Sequence, residues 1–420
     1  RDRSPSRGLG DVYKRQCMYK SLFHFTTLST MCLSIFFGSC NTPKETNDAP
    51  VIISVNSQTS DRKIKMSELY SALEYIKLET TPESLIAQVS KIIPLDTQLL
   101  IVDKESSKIL LFDVNGKFMG TIGSKGVGAG EFIEIEDVAV DKKGEKIFVL
   151  DHSGKRILIY DLKGNFANDI KTDFIAHEIE YLENGNLACY CDYSANETYE
   201  KNETRPNLIL LDLNSIEAHP FLYVPQSISV QEVNSPFSAL FSHTSRHAFL
   251  FDILTNSIYE IGKERINRTF VLNFGNEETA NQKSYVRKLE EEQLIAERIM
   301  PGASDSPQYP IITSLISCNA FLFLNAIDYS TMDVYQIAYS VDNAKCIYGK
   351  ARKQFPIEND IDGVVPFAPY AASQSKIYGV IESYQLAASE LTNSKVATIL
   401  ADIEEDDNPI IVIADTKKID

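Results

Sequence analysis

The sequence predicts an all-β fold of the propeller type, and two observations carry that class. From about Glu68 the chain is a succession of short apolar runs: "EYIKLETT", "QLLIVD", "KILLFDVNG", "DVAVD", "KIFVLD" and "RILIYDLKG". Each is rich in Val, Ile, Leu, Phe or Tyr, and most are bounded by Asp, Asn, Gly or Lys. Such punctuation marks many short antiparallel strands, as in a sandwich, barrel or propeller. The second observation is repetition. "LIVDKESSKILLFDVNGKF" aligns with "FVLDHSGKRILIYDLKGNF", setting Asp103 on Asp151, Asp113 on Asp161, Gly116 on Gly164 and Phe118 on Phe166, each pair 48 positions apart. A period of that size holding about four strands is a propeller blade.

Taken in chain order, the first elements concern an address. Residues 1–17 precede the first methionine, Met18, and read as a leader foreign to the gene. Residues 18–39 read as a lipoprotein signal peptide. Lys20 supplies a positive start, Leu22 to Phe37 is apolar with polar interruptions, and Phe37-Gly38-Ser39-Cys40 ends the run. Small residues before a cysteine let a peptidase reach the backbone, so Cys40 becomes the lipidated N-terminus. The motif resembles a bacterial lipobox, with Phe37 where Leu is usual. Residues 40–60, opening "CNTPKETNDAP", read as a solvated tether, and 61–420 as the propeller. The expected location is the envelope of a Gram-negative bacterium, lipid-anchored, with the outer membrane as the expected membrane.

Composition narrows the partners. The net charge of -17 repels phosphate backbones, so nucleic acid is not expected as a partner. Seven cysteines in 420 residues are too few for a disulfide scaffold. The pair Cys318 and Cys346 is the one candidate for a bridge in an oxidising periplasm.

Within the repeats, Gly116 and Gly164 supply the positive φ of hairpin turns, and Asp113 and Asp161 are expected to bond their own turn backbone. A third copy runs from "EIEYLENGNLACYC" to "LILLDLN", and a degraded fourth reads "AFLFDILTNSIYEIG". Asn276 to Met300, rich in Glu, Lys, Leu and Gln and stopped by Pro301, reads as a helical insertion between blades. The remaining length allows six or seven blades. "NPIIVIAD" near the C-terminus is expected to pair with an N-terminal strand and shut the ring.

Ile122 to Phe166 resembles an NHL-type propeller repeat. With "EYIKLETT", "IGSKGVGAGEF", "FVLNFGN", "NDIDGVVPFAP" and "NPIIVIADTKK", the chain resembles the six-bladed β-propeller lipoproteins common in Bacteroidetes. Ala129 stands where that family usually has Pro. The resemblance spans nearly all of the mature chain and implies six blades; on function it is nearly silent.

Several motifs invite a chemical reading. "GVGAG", Gly126 to Gly130, lacks the helix and Lys-Ser/Thr of a phosphate loop and leads into Glu131 and Glu134. "CYC" puts Cys189 and Cys191 on one face of a strand without the further ligands zinc needs. Glu358, Asp360 and Asp362 stand at alternate positions before Gly363, a loose cation site for calcium, but Pro369 occupies the place of the EF-hand glutamate. "SQSK", Ser373 to Lys376, precedes a strand rather than opening a helix, unlike a Ser–Lys nucleophile pair. His243 and His247 form the close histidine pair; with Arg246, Asp360 and Asp362 they are the ligand-binding candidates. "EEDDNP", Glu404 to Pro409, reads as solvated loop. No catalytic residue and no cofactor beyond calcium is expected.

The expected function is therefore that of a non-enzymatic envelope module binding a small molecule, glycan, peptide or envelope protein. A glycan or peptide lyase or hydrolase using the central pocket is the alternative, and a scaffold for an envelope complex a further one. Cys40→Ala is expected to leave the protein folded and release it from the membrane fraction; a variant that still sediments with membranes would overturn the anchor.

Overall fold

Every blade of this fold needs a neighbour on both faces, and the strand patterns already show it. The structure is a computed structural model. It describes residues 44–46, 48–56, 61–226, 241–243, 248–253, 255–262, 265–275, 310–318, 321–328, 331–387, 394–399 and 401–418. The helical insertion expected at 276–300 lies outside the described residues, as do Cys40, Arg246 and His247. Six four-stranded antiparallel blades form a ring. Blade 1 comprises Lys91–Pro94, Gln98–Asp103, Lys108–Asp113 and Phe118–Thr121. Blade 2 comprises Ile135–Asp141, Lys146–Asp151, Arg156–Asp161 and Phe166–Lys171. Blade 3 has Glu178–Leu182, Asn186–Tyr190, Thr204–Asp212 and Glu217–Pro225; blade 4 has Phe241–His243, Ala248–Asp252, Ser257–Ile261 and Arg265–Asn273. Blade 5 has Ile311–Ser317, Phe321–Asp328, Asp333–Ser340 and Cys346–Arg352; blade 6 has Pro369–Ser373, Lys376–Ile381, Ile410–Thr416 and, from the N-terminal side, Tyr70–Lys77. The first strands of successive blades touch in cyclic order and line the central channel.

The second strand of a blade is buried on both faces, which is why it reads as an uninterrupted apolar run. Side chains alternate between two seams. In blade 1, Leu100 and Val102 pack towards blade 2, against Val138, Val140 and Val149. Leu99 and Ile101 pack the other way, against Tyr378 and Ile411 of blade 6. In blade 2, Ile147 and Val149 face blade 1, whereas Phe148 and Leu150 face Ile179, Leu187 and Cys189 of blade 3. Six such seams make the core. The outer strand has solvent beyond it, so Phe166–Lys171 is exposed at every position but Ile170.

Turn chemistry follows the repeat. Asp113 accepts from the amides of Asn115 (2.8 Å) and Lys117 (2.9 Å), and Asp161 from those of Lys163 and Asn165 (both 2.9 Å). Gly116 has φ +84°, and a Cβ there would lie 2.1 Å from the carbonyl oxygen of Lys77 at the end of the closing strand. Asp103 and Asp151 cap the ends of their second strands. Asp103 accepts from the Ala87 amide (2.7 Å); Asp151 accepts from Ile133, Glu134 and Gly154 amides and pairs with Arg156 at 3.0 Å. Both therefore tether the loop that enters the same blade.

The ring closes as expected. Ile410–Thr416 pairs antiparallel with Tyr70–Lys77, Ile410 opposite Lys77. Asn408 then locks the joint. Its Oδ1 accepts from the Ile86 amide and its Nδ2 donates to the carbonyls of Glu79 and Ser84, all at 2.9 Å. In the "EEDDNP" run, expected as solvated loop, Glu404 to Asp406 are exposed, but Asn408 is only 1% exposed.

Two further expectations are revised. The tether segment is partly strand: Lys44–Thr46 and Val51–Ser54 pair in parallel with the outer strand of blade 4, Val51 opposite Phe270. Unpaired edge amides on that strand offer the ladder. Cys318 and Cys346 are thiols and form no bridge. One follows the inner strand of blade 5 and the other opens its outer strand, some 14 Å apart at ordinary strand spacing, beyond disulfide reach.

Asn408→Ala should lower stability by about 2–4 kcal/mol, because it strands the buried Ile86 amide and Ser84 carbonyl. The check is the denaturant midpoint; a loss below about 0.5 kcal/mol would show the joint is held elsewhere.

Candidate functional site

The channel is built from inner strands whose free edges face each other, so side chains must satisfy their amides. Asp137 of blade 2 accepts from the Ile179 amide of blade 3 (2.8 Å). Glu178 of blade 3 accepts from the Phe241 amide of blade 4 (3.1 Å), and Ser242 Oγ of blade 4 from the Ser317 amide of blade 5 (2.9 Å). Polar residues on these strands are thus structural links and channel lining at once.

The cavity within is about 350 Å³. Its wall is divided. Lys91, Lys104, Asp137, Lys142, Glu178 and Glu180 charge the side formed by blades 1 to 3. Among the described residues the facing side is neutral, with Phe241, Thr313, Asn325 and Tyr370 among its residues. Lys91 Nζ lies 3.0 Å from both oxygens of Asp137 and 3.4 Å from Glu180. Burial opposes the ammonium, but Asp137, Glu180 and Glu178 outweigh it and hold the Lys91 pKa above its ordinary value. Lys142 is the reverse case: burial, only partly offset by Glu180 and Asp96, lowers its pKa. Glu178 is pushed up to about 7, first by burial and then by the charge of Asp137. Asn325 Nδ2 donates to Ser314 Oγ (2.8 Å), while its buried Oδ1 has no partner among the described residues.

At one rim a second group gathers. Inner strands begin where second strands end, since Ile135 pairs with Asp151 and Glu178 with Tyr190. This brings together Glu136 on the inner strand of blade 2, His152 just past its second strand, and His177 just before the inner strand of blade 3. His177 Nδ1 is 2.9 Å from Glu136 Oε1, and its Nε2 is 2.9 Å from Ser194 Oγ. The rings of His152 and His177 stack at 5.5 Å. Burial disfavours the imidazolium of His177, yet Glu136, aided by Asp192 and Glu178, raises its pKa. Burial pulls Glu136 up, but His177, Lys104 and His152 hold it below its ordinary value.

Of the residues singled out from sequence, those that are described lie elsewhere. His243 ends the inner strand of blade 4 opposite Ala248, at the other rim. Asp360 accepts from Ser67 N (2.9 Å) and Ser67 Oγ (2.6 Å), and Asp362 from Tyr75 OH (2.8 Å) and Asn359 Nδ2 (2.6 Å). Glu358 sits on a two-residue strand beside Lys65. Asp360 and Asp362 thus bond Ser67 and Tyr75, beside and within the strand that closes the ring. Gly128 N donates to Glu131 Oε2 (2.8 Å), so a carboxylate fills the Gly-rich turn where phosphate would sit. Cys189 and Cys191 are buried in the seam between blades 2 and 3, with thiol pKa values raised by burial. Ser373 and Lys376 flank a hairpin turn. The rim group had one signal in the sequence: Lys104 and His152 each follow the repeated aspartate, so the repeat register puts both at the same rim.

The matching family model, "Domain of unknown function (DUF4934)", spans residues 50–415, and the chain belongs to that family. A solved structure of a Bacteroides fragilis NCTC 9343 protein, named as exported, is similar at TM-score 0.67 and 19% identity, over 88% of this chain and 100% of that one. A DUF4221 family member from Bacteroides vulgatus ATCC 8482 is similar at TM-score 0.48 and 11% identity, over 83% of this chain and 97% of that one. No curated protein sequence matches. The likeness to the Bacteroides fragilis structure is one of fold.

Glu178 yields a pH prediction. Between about pH 4.5 and 7 the folded chain keeps a proton that the unfolded chain has released, so this group's stabilisation is lost as pH rises through 7. Glu178→Gln retains an acceptor for Phe241 and should lose less stability than the parent between pH 5 and 8. Parallel pH profiles of the two melting temperatures would refute the shift.

Proposed function

We propose that this protein is an exported, lipid-anchored binding protein that takes a small polar ligand into the central channel. One observation carries the reading: the divided wall, with charges of both signs on blades 1 to 3 facing a neutral side. A pocket of that size and mixed lining suits a small molecule, and the division suits a ligand with a charged end and a neutral body, such as a short peptide. Lys142 and the Asn325 carbonyl oxygen provide a donor and an acceptor towards it. Export is supported by the Cys40 motif and by the name of the Bacteroides fragilis relative.

A second reading, a lyase or hydrolase, is favoured by the rim group. Acid and base groups with displaced pKa values gathered at one mouth are a recurrent feature of active sites. Glu178 near neutrality and the His177–Glu136 pair could each move a proton there.

The test is a thermal-shift screen of the processed chain against short peptides, glycans and small charged metabolites. A saturating ligand at a hundredfold excess over its Kd stabilises by about 2.7 kcal/mol, a readable shift. Lys142→Met and Asn325→Ala should abolish that shift. A ligand still bound equally by both variants would move the site out of the channel, and turnover of the ligand would establish the enzymatic reading instead.

A further inference from the structure

We propose that Glu136, His152 and His177 form a binding site for one divalent transition-metal ion of the zinc type. Among the described residues, these three offer a carboxylate oxygen and two imidazole nitrogens, all within 4.8 Å of one another. Ligand atoms about 2.0–2.1 Å from a zinc ion stand roughly 3.3 Å apart in a tetrahedron, so the set needs only a modest closure. The 2.9 Å contact between His177 Nδ1 and Glu136 Oε1 is the place the ion would take. A proton now bridges the two atoms, and an ion replaces it with little movement of either strand.

The outer contacts are those of a metal histidine. His177 Nε2 lies 2.9 Å from Ser194 Oγ, so an Nε2–H donating to that hydroxyl leaves Nδ1 as the metal ligand. The backbone is fixed on both sides. The His177 amide donates to the Tyr190 carbonyl (2.8 Å), and His152 follows Asp151, whose carboxylate holds three amides and Arg156. Glu136 lies within the strand Ile135–Asp141. Ligands carried on strand ends keep their geometry better than ligands on free loops. All three side chains are half-buried, open enough for an ion to enter.

The donor set selects the metal class. Two imidazoles and one carboxylate suit zinc, nickel, copper or iron; calcium and magnesium prefer all-oxygen shells. Three protein ligands leave a coordination position open, as in sites that hold water or substrate rather than in closed structural sites. The site stands apart from the ligand reading of the channel, since the ion would bind whether or not a ligand does.

The experiment uses the full chain, stripped with chelator. It is titrated with Co²⁺ while the visible spectrum is followed, and with Zn²⁺ in competition with a chromogenic chelator. One equivalent of each should bind, Co²⁺ with d–d bands typical of low coordination number. His152→Ala should abolish that binding, and its fold can be checked by circular dichroism because His152 caps no strand. Ser194→Ala should weaken zinc by about ten- to a hundredfold. His219→Ala, on the outer strand of blade 3, should change nothing. Failure to bind zinc below about 100 μM, or equal binding by the parent and His152→Ala, would overturn the site and leave a plain His–Glu–Ser hydrogen-bond chain.

Discussion

The structure depends on closure. A blade in this ring has two apolar faces, and each seam is covered only if both neighbours are present. An open ring would leave the seam between blade 6 and blade 1 uncovered, exposing Leu99, Ile101, Phe112 and Ile411 to water. Burial of such side chains is worth about 1.5–3 kcal/mol each, so the cost of an open joint is comparable to the whole stability of a domain. The chain meets this constraint by giving blade 6 its outer strand from the N-terminal side and by placing Asn408 and Gly116 at the joint.

The same constraint shapes the channel. Inner strands converge without forming a continuous sheet, so their amides need side-chain acceptors. Asp137, Glu178 and Ser242 supply them, each reaching the next blade. Carboxylates held in this way sit among other charges in a narrow space, and that raises Glu178 and pairs Lys91 with Asp137 and Glu180. The chemistry available to a ligand is therefore a by-product of how the ring is stitched. Substituting these residues to probe binding will also touch the links, which makes Lys142 and Asn325 better probes than Asp137.

Much of the fold was legible because its signals are local. The 48-residue offset, the Asp and Gly of the hairpins, and the alternation in "QLLIVD" and "KIFVLD" all act within a few residues, and the structure keeps each of them. The family resemblance set the blade number at six. Where sequence reading went astray, the missing information was long-range. Nothing local in "NTPKETNDAP" says that the segment will find an unpaired edge on blade 4. Nothing in "EEDDNP" says that Asn408 will meet Glu79, Ser84 and Ile86 across the closing joint.

The candidate site shows the same division. The sequence by itself determined a ring of short strands, its repeat register, and that positions 104 and 152 fall at equivalent places. Closeness in sequence favoured His243, Arg246 and His247, and alternation favoured Glu358, Asp360 and Asp362. Only the tertiary structure decided that Asp360 and Asp362 serve the closing strand, and that Glu136, His152 and His177 meet across two blades. The physical reason is that a propeller gathers its mouth from the ends of many strands. Residues that share the mouth are separated by a blade in sequence, and no short window contains them.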